Sequence, residues 1–128
     1  MKRNERGFTL LELMITVGIV AALTAMAVAG YGFATLKTRR AAAQGCLTEW
    51  AGQLERYYTT AMTYQSGPSA SCSADVSQWY DVSFASGSPA AMSYTLRAAP
   101  KNGQRKDKCG TMTLNEKNVH TPTTAGCW

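Results

Sequence analysis

Gly7-Phe8-Thr9-Leu10-Leu11-Glu12-Leu13-Met14-Ile15 decides the reading of this chain, because it joins a charged leader, Met1 to Arg6, to a run without charge from Leu13 to Leu36. As a helix rising ~1.5 Å per residue, that run is about 36 Å long, enough to cross a hydrocarbon layer of about 30 Å. Glu12 stands at its start. An acidic side chain in a membrane segment costs roughly 2.5–3.5 kcal/mol on insertion scales, so such residues usually carry a function and have a partner. A secretory signal places its small-residue cleavage site after the apolar core. Here the small residue, Gly7, precedes the core, and a cut at that point leaves the hydrophobic helix on the mature chain.

The stretch from Gly7 to Ile15 resembles the processing and assembly motif of type IV prepilins, shared with the pseudopilins of type II secretion. The resemblance implies a prepilin peptidase that cuts between Gly7 and Phe8 on the cytoplasmic side and methylates the new amine of Phe8. Glu12 is then the fifth residue of the mature chain and the family's assembly glutamate, with the Phe8 amine of a neighbouring subunit as its partner. Electrostatics supports that pairing independently: a carboxylate and an ammonium each lose solvation on burial, and a close pair recovers part of the loss. One departure is that the family usually carries a kink-forming Pro where this chain has Ala29. Gly30 and Gly32, together with Gly18, become the candidates for helix flexibility, since Gly costs a helix interior up to ~1 kcal/mol relative to Ala. The same glycines also suit close helix contact.

Residues 1–7 thus read as a cleaved leader, 8–36 as the membrane and assembly half of a long helix, and 37–128 as one small globular domain. The formal charge is +5, of which the leader's three basic residues and one acid account for two, so the mature part is only mildly basic. Such a charge keeps a domain soluble and does not by itself argue for nucleic acid. Basic residues flank the span on both sides, with Lys2, Arg3 and Arg6 before it and Lys37, Arg39 and Arg40 after, so charge alone does not orient it. Four cysteines suit disulfides in an oxidising compartment, which puts the globular part outside the inner membrane; the resemblance implies a periplasmic domain before assembly and an extracellular pilus fibre afterwards. Lys37, Arg39 and Arg40 also have the chemistry to grip lipid headgroups, although a solvated helix turn is the default for a short charge run.

Beyond Leu36, Ala43, Leu47, Trp50, Leu54, Tyr57 and Ala61 recur at alternating intervals of four and three, the stripe of a one-sided helix that continues out of the membrane and ends near Met62. Trp50 lies on the stripe and reads as a core anchor. Thr63 to Ser77, rich in Gly, Pro and Ser, reads as an irregular connection. Strands are expected at Trp79–Ala85, Met92–Ala98 and Thr111–Asn115, with a short fourth at Val119–Thr121 after a turn at Glu116-Lys117-Asn118. Tyr80, Val82 and Phe84 share one face of the first strand, Tyr94 and Leu96 of the second, Met112 and Leu114 of the third, all positioned to cover Leu47, Trp50 and Leu54. The fold class is α+β, a long N-terminal helix on a small antiparallel sheet of three to four strands. That architecture is similar to type IV pilins. Ala41-Ala42-Ala43-Gln44-Gly45, Glu55-Arg56-Tyr57-Tyr58, Cys109-Gly110-Thr111-Met112-Thr113-Leu114 and Cys127-Trp128 resemble a PilE-like minor pilin of type IVa systems.

Four cysteines allow three pairings. The pilin topology suggests Cys46 with Cys72, tying the connection to the helix, and Cys109 with Cys127, closing the C-terminal loop found in pilin-like domains. Metal coordination is disfavoured, because the cysteines lack the tight pairs of structural zinc sites. No catalytic constellation stands out: His120 is the only histidine, and no Ser or Cys motif sets a nucleophile beside it. Asp75, Asp81 and Asp107 are too scattered for the calcium site expected in many pseudopilins. No cofactor is expected. Arg97, Lys101, Arg105, Lys106 and Lys108 crowd together, offset only by Asp107, and each is able to meet a phosphate or a neighbouring subunit. The cluster holds no aromatic on which a base would stack.

The expected function is that of a non-enzymatic, minor structural subunit of a type IV pilus serving adhesion, twitching motility or DNA uptake. Its partners are other pilins, the prepilin peptidase and the inner membrane. The alternatives are a DNA-binding minor pilin, as some minor pilins are during uptake, and a pseudopilin of a type II secretion system.

Overall fold

The computed structural model describes residues 4–128, and the chain divides into two compact units, Met1–Thr35 and Leu36–Trp128. Lys2 and Arg3 of the leader lie outside the described residues. One 52-residue helix, α1 (Leu10–Ala61), contributes to both units. Phe8 and Thr9 precede it, a correction to a helix expected from residue 8. Thr9 occupies the N-cap, where its Oγ1 accepts the N–H of Glu12 at 3.2 Å. Thr-x-x-Glu is capping-box spacing, and a carboxylate in the first turn also complements the positive end of the helix dipole.

In the first unit the apolar side chains are exposed, from Phe8 at 86% through Leu13, Ile15, Val20 and Leu23 to Phe33 at 64%. A helix so long and apolar, with none of its apolar window buried, satisfies the length and composition of a membrane span. The threonine hydroxyls within it need no external partner. Thr16, Thr24 and Thr35 each donate to the carbonyl four residues back, at 2.8, 2.7 and 2.8 Å. The helix runs unbroken through Gly18, Gly30 and Gly32.

In the second unit α1 presents Ala43, Leu47, Trp50 and Leu54 to a sheet, all buried, whereas Tyr57 is only half-buried and Ala61 is exposed. Met62 adopts φ 56° and closes the helix with its N–H on Tyr58 O. The sheet is antiparallel in the order β1 (Tyr80–Phe84), β2 (Thr95–Pro100), β3 (Met112–Asn115), β4 (His120–Thr121). Tyr80, Tyr94, Leu96, Ala98, Met112 and Leu114 complete the core, at about 1.5–3 kcal/mol for each large apolar side chain removed from water. Trp50 packs its ring 4.5 Å from that of Phe84 and donates to Pro68 O at 2.7 Å.

Two local expectations are corrected. The connection after α1 contains a short helix, α2 (Ala74–Trp79), which takes Trp79 from the first strand and buries Val76. The second strand begins at Thr95, because Ala90, Ala91 and Ser93 spend backbone groups elsewhere: Tyr64 N–H donates to Ala91 O, and Ala90 N–H to Ser93 O. It also runs on to Pro100, opposite Tyr80 at the end of the pairing, where a missing N–H costs little. The β2–β3 connection contains a 3-10 helix, Asn102–Lys106. Disulfides join Cys46 to Cys72 and Cys109 to Cys127. The first fixes the α1–α2 connection to α1, and the second closes the chain between β3 and the C-terminus; loops of this size gain about 3 kcal/mol each in the chain-entropy account.

Candidate functional site

The residues expected to serve processing and assembly lie at and just before the start of α1. Glu12 lies in the first turn, and no basic side chain among the described residues pairs with its carboxylate. Phe8 is exposed beside it, and Gly7 has open space on all sides. The segment between leader and helix is therefore exposed and without regular secondary structure. The first turn offers one carboxylate surrounded by unburied hydrocarbon, a group whose charge needs a partner once water is excluded.

A second site forms where α1 enters the sheet unit. Arg40, grouped in sequence with Lys37 and Arg39 as a surface charge, is instead buried: its guanidinium holds Asp107 Oδ1 at 2.6 Å and donates to Gly126 O at 3.2 Å. Asp107 also accepts the Cys109 N–H at 3.1 Å and the Gln104 side-chain N–H at 3.2 Å. Gln104, fully buried, additionally donates to Tyr80 Oη at 2.9 Å and to Leu36 O at 3.0 Å. Burial first of all raises the Tyr80 phenol above its ordinary value. Beside this network, Gln44 donates to Cys127 O. The β2–β3 connection and the C-terminal segment are thus both fastened to α1 near Leu36.

This geometry changes the charge of the basic loop. Asp107, which offsets the neighbouring lysines in sequence, points inward and is neutralised by Arg40. Arg105, Lys106 and Lys108 are exposed, and Lys101 is half-buried with its N–H on Trp79 O. Arg97 is not part of that loop. It lies mid-β2, opposite Ser83 and Thr113, on the sheet face turned away from α1. The aromatic absent from the cluster's own sequence arrives from α2. Trp79 packs close to Gly103, and the Arg39 guanidinium stacks on its ring at 3.4 Å, a cation–π geometry.

Sequence reasoning missed Arg40, Gln104 and Trp79 as organisers of this region. For Arg40 the signal was present: it stands three residues before Ala43 and seven before Leu47, on the same helical stripe as the core. The partners Asp107 and Gln104 carried no local signal. No cluster of metal-ligating side chains occurs among the described residues.

A long helix over an antiparallel sheet whose last strand leads into a disulfide-closed C-terminus is the architecture of type IV pilins. The family profile "Type IV minor pilin ComP, DNA uptake sequence receptor" matches residues 30–113, and the prokaryotic N-terminal methylation motif matches residues 2–28. A type IV pilin from Shewanella oneidensis superposes with a TM-score of 0.61 at 33% identity, covering 73% of this chain and 97% of that one. The non-core minor pilin PilV of Neisseria meningitidis shares the fold, with a TM-score of 0.55 at 18% identity over 73% of this chain and 93% of its own. Comparison with curated protein sequences gave no match. The chain belongs to the ComP family of type IV minor pilins. It is a pilus subunit of a structural protein family, carrying the N-methylation motif of pilins that are membrane-anchored before assembly into an extracellular fibre.

Proposed function

We propose that this minor pilin is cleaved between Gly7 and Phe8, methylated on the Phe8 amine and incorporated into the pilus with Glu12 paired to that amine on a neighbouring subunit. Residues 37–128 then leave the periplasmic face of the inner membrane and are displayed on the fibre, where they bind DNA during uptake. The observation that carries the DNA reading is the inward turn of Asp107. It takes the one acid within the run Lys101, Arg105, Lys106 and Lys108 off the surface of a loop that is fixed by the hydrogen bonds of Gln104 and Asp107. Arg97 supplies a further cation on the outer sheet face. The family's description as a DNA uptake sequence receptor supports the same reading.

The test is duplex binding by the full chain in detergent micelles across a salt series. Binding is expected to weaken linearly in log–log form, by about 0.9 per phosphate contacted, and each of Lys101→Gln, Arg105→Gln, Lys106→Gln and Lys108→Gln is expected to reduce the slope by about one. Absence of binding at low salt sinks the DNA reading and leaves the assembly reading standing.

A further inference from the structure

We propose that, before assembly, the basic loop of the β2–β3 connection and the start of the sheet unit's helix together form a collar that docks on anionic phospholipid headgroups. The argument begins at Leu36, the last residue of the uncharged run. A membrane interface lies within a residue or two of the point where such a run ends, because the charged side chains that follow resist entry into hydrocarbon. The Leu36 carbonyl is bonded by Gln104, in the middle of the 3-10 helix Asn102–Lys106. A loop distant in sequence is therefore held at the residue where the bilayer stops.

Two basic runs flank that bond along the chain, Lys37 and Arg39 just after Leu36 in α1 and Lys101, Arg105, Lys106 and Lys108 on either side of Gln104 in the loop. The acid inside the second run, Asp107, is buried against Arg40 and does not repel a lipid phosphate. Trp79, half-buried beneath the Arg39 guanidinium, adds the amphipathic ring typical of headgroup depth. The matching partner is a layer of phosphates at the level of Leu36, which an anionic leaflet supplies. This contact goes beyond the DNA reading, and the loop's work in the anchored state differs from its work in the fibre.

The test is amide hydrogen exchange on the full chain in nanodiscs of phosphatidylcholine alone or mixed with phosphatidylglycerol. Each engaged basic residue is worth roughly fivefold in headgroup affinity, so the segment Lys101–Lys108 is expected to exchange at least about fivefold more slowly in the anionic discs. The difference is expected to vanish at about 1 M salt, where the screening length falls to ~3 Å. It is also expected to vanish in the combined Lys101→Gln, Arg105→Gln, Lys106→Gln and Lys108→Gln variant, whose sheet amides remain as protected as those of the parent. Equal exchange in both disc types overturns the proposal, as does slowing spread uniformly over the sheet. Duplex DNA added to the phosphatidylcholine discs is a separate arm: loop protection by DNA with none by phosphatidylglycerol overturns the lipid contact while sustaining the DNA reading, and the reverse result separates them the other way.

Discussion

Replacing Arg40 by Met tests the device that holds the basic loop in place. The Arg40 side chain is 8% exposed and its Asp107 partner 2%, with 2.6 Å between them. In water, such a pair is worth little. Buried, its two charges attract strongly, but most of that attraction offsets lost hydration, so the pair as a whole is nearly neutral in stability. Removing one member is different: Arg40→Met leaves the Asp107 carboxylate with only neutral donors, the Cys109 N–H, the Gln104 amide and the Tyr80 hydroxyl, and takes the guanidinium away from Gly126 O. The expected loss is about 3–5 kcal/mol, a large share of the ~5–15 kcal/mol available to a small domain. Asp107→Asn alone leaves the guanidinium buried and costs a similar amount. The combined variant removes both charges, and its loss is expected to fall short of the sum by at least about 2 kcal/mol, because contacting residues couple and the pair as a whole is nearly neutral. Urea denaturation of the full chain in a non-ionic detergent, followed by tryptophan fluorescence, measures all three. A loss below about 1 kcal/mol for Arg40→Met, or additivity in the combined variant, refutes the view that this pair clamps the loop.

Glu12→Ala is expected to leave cleavage intact and to impair pilus incorporation, and the mature chain is expected to begin at Phe8 with one added methyl. Mass measurement and fibre fractionation read both, and normal incorporation of the variant refutes the assembly role. Gly67→Ala is expected to destabilise the chain by about 1–3 kcal/mol in the same urea assay, because a Cβ there meets Leu54 Cδ2 at 2.6 Å and Tyr64 O at 3.0 Å in an already filled core. At alkaline pH, burial and the Glu55 carboxylate that accepts its hydroxyl push the Tyr64 phenol up to about 12 from 10.0, and Tyr94, on the same carboxylate, is also raised. A raised phenol keeps its proton in the folded chain after the unfolded chain has lost it. Stability from this source is complete below pH ~10, falls as pH rises, and is gone above about 12 for Tyr64. Denaturation midpoints across that window check the slope, which Tyr64→Phe with Tyr94→Phe is expected to flatten.

The sequence alone determined the long helix, its apolar half, the assembly motif and the faces that meet in the core. Each is written in short-range order: a run without charge, Gly7-Phe8 and Glu12 at fixed spacing, the stripe from Ala43 to Leu54, and alternation within each strand. Where local signals competed, the reading slipped. Trp79 has strand propensity but ends α2, and Met92 belongs to an exposed turn because the backbone around it bonds to Tyr64 and Ser93. Only the tertiary structure decided the charge of the basic loop. In sequence, Asp107 sits among lysines and cancels one of them, and Arg40 belongs to a surface cluster 67 residues away. Folding brings the two together inside the unit, where low polarisability makes each the other's required partner. The loop is left with its positive charge facing outward, fixed at the residue where the apolar helix ends.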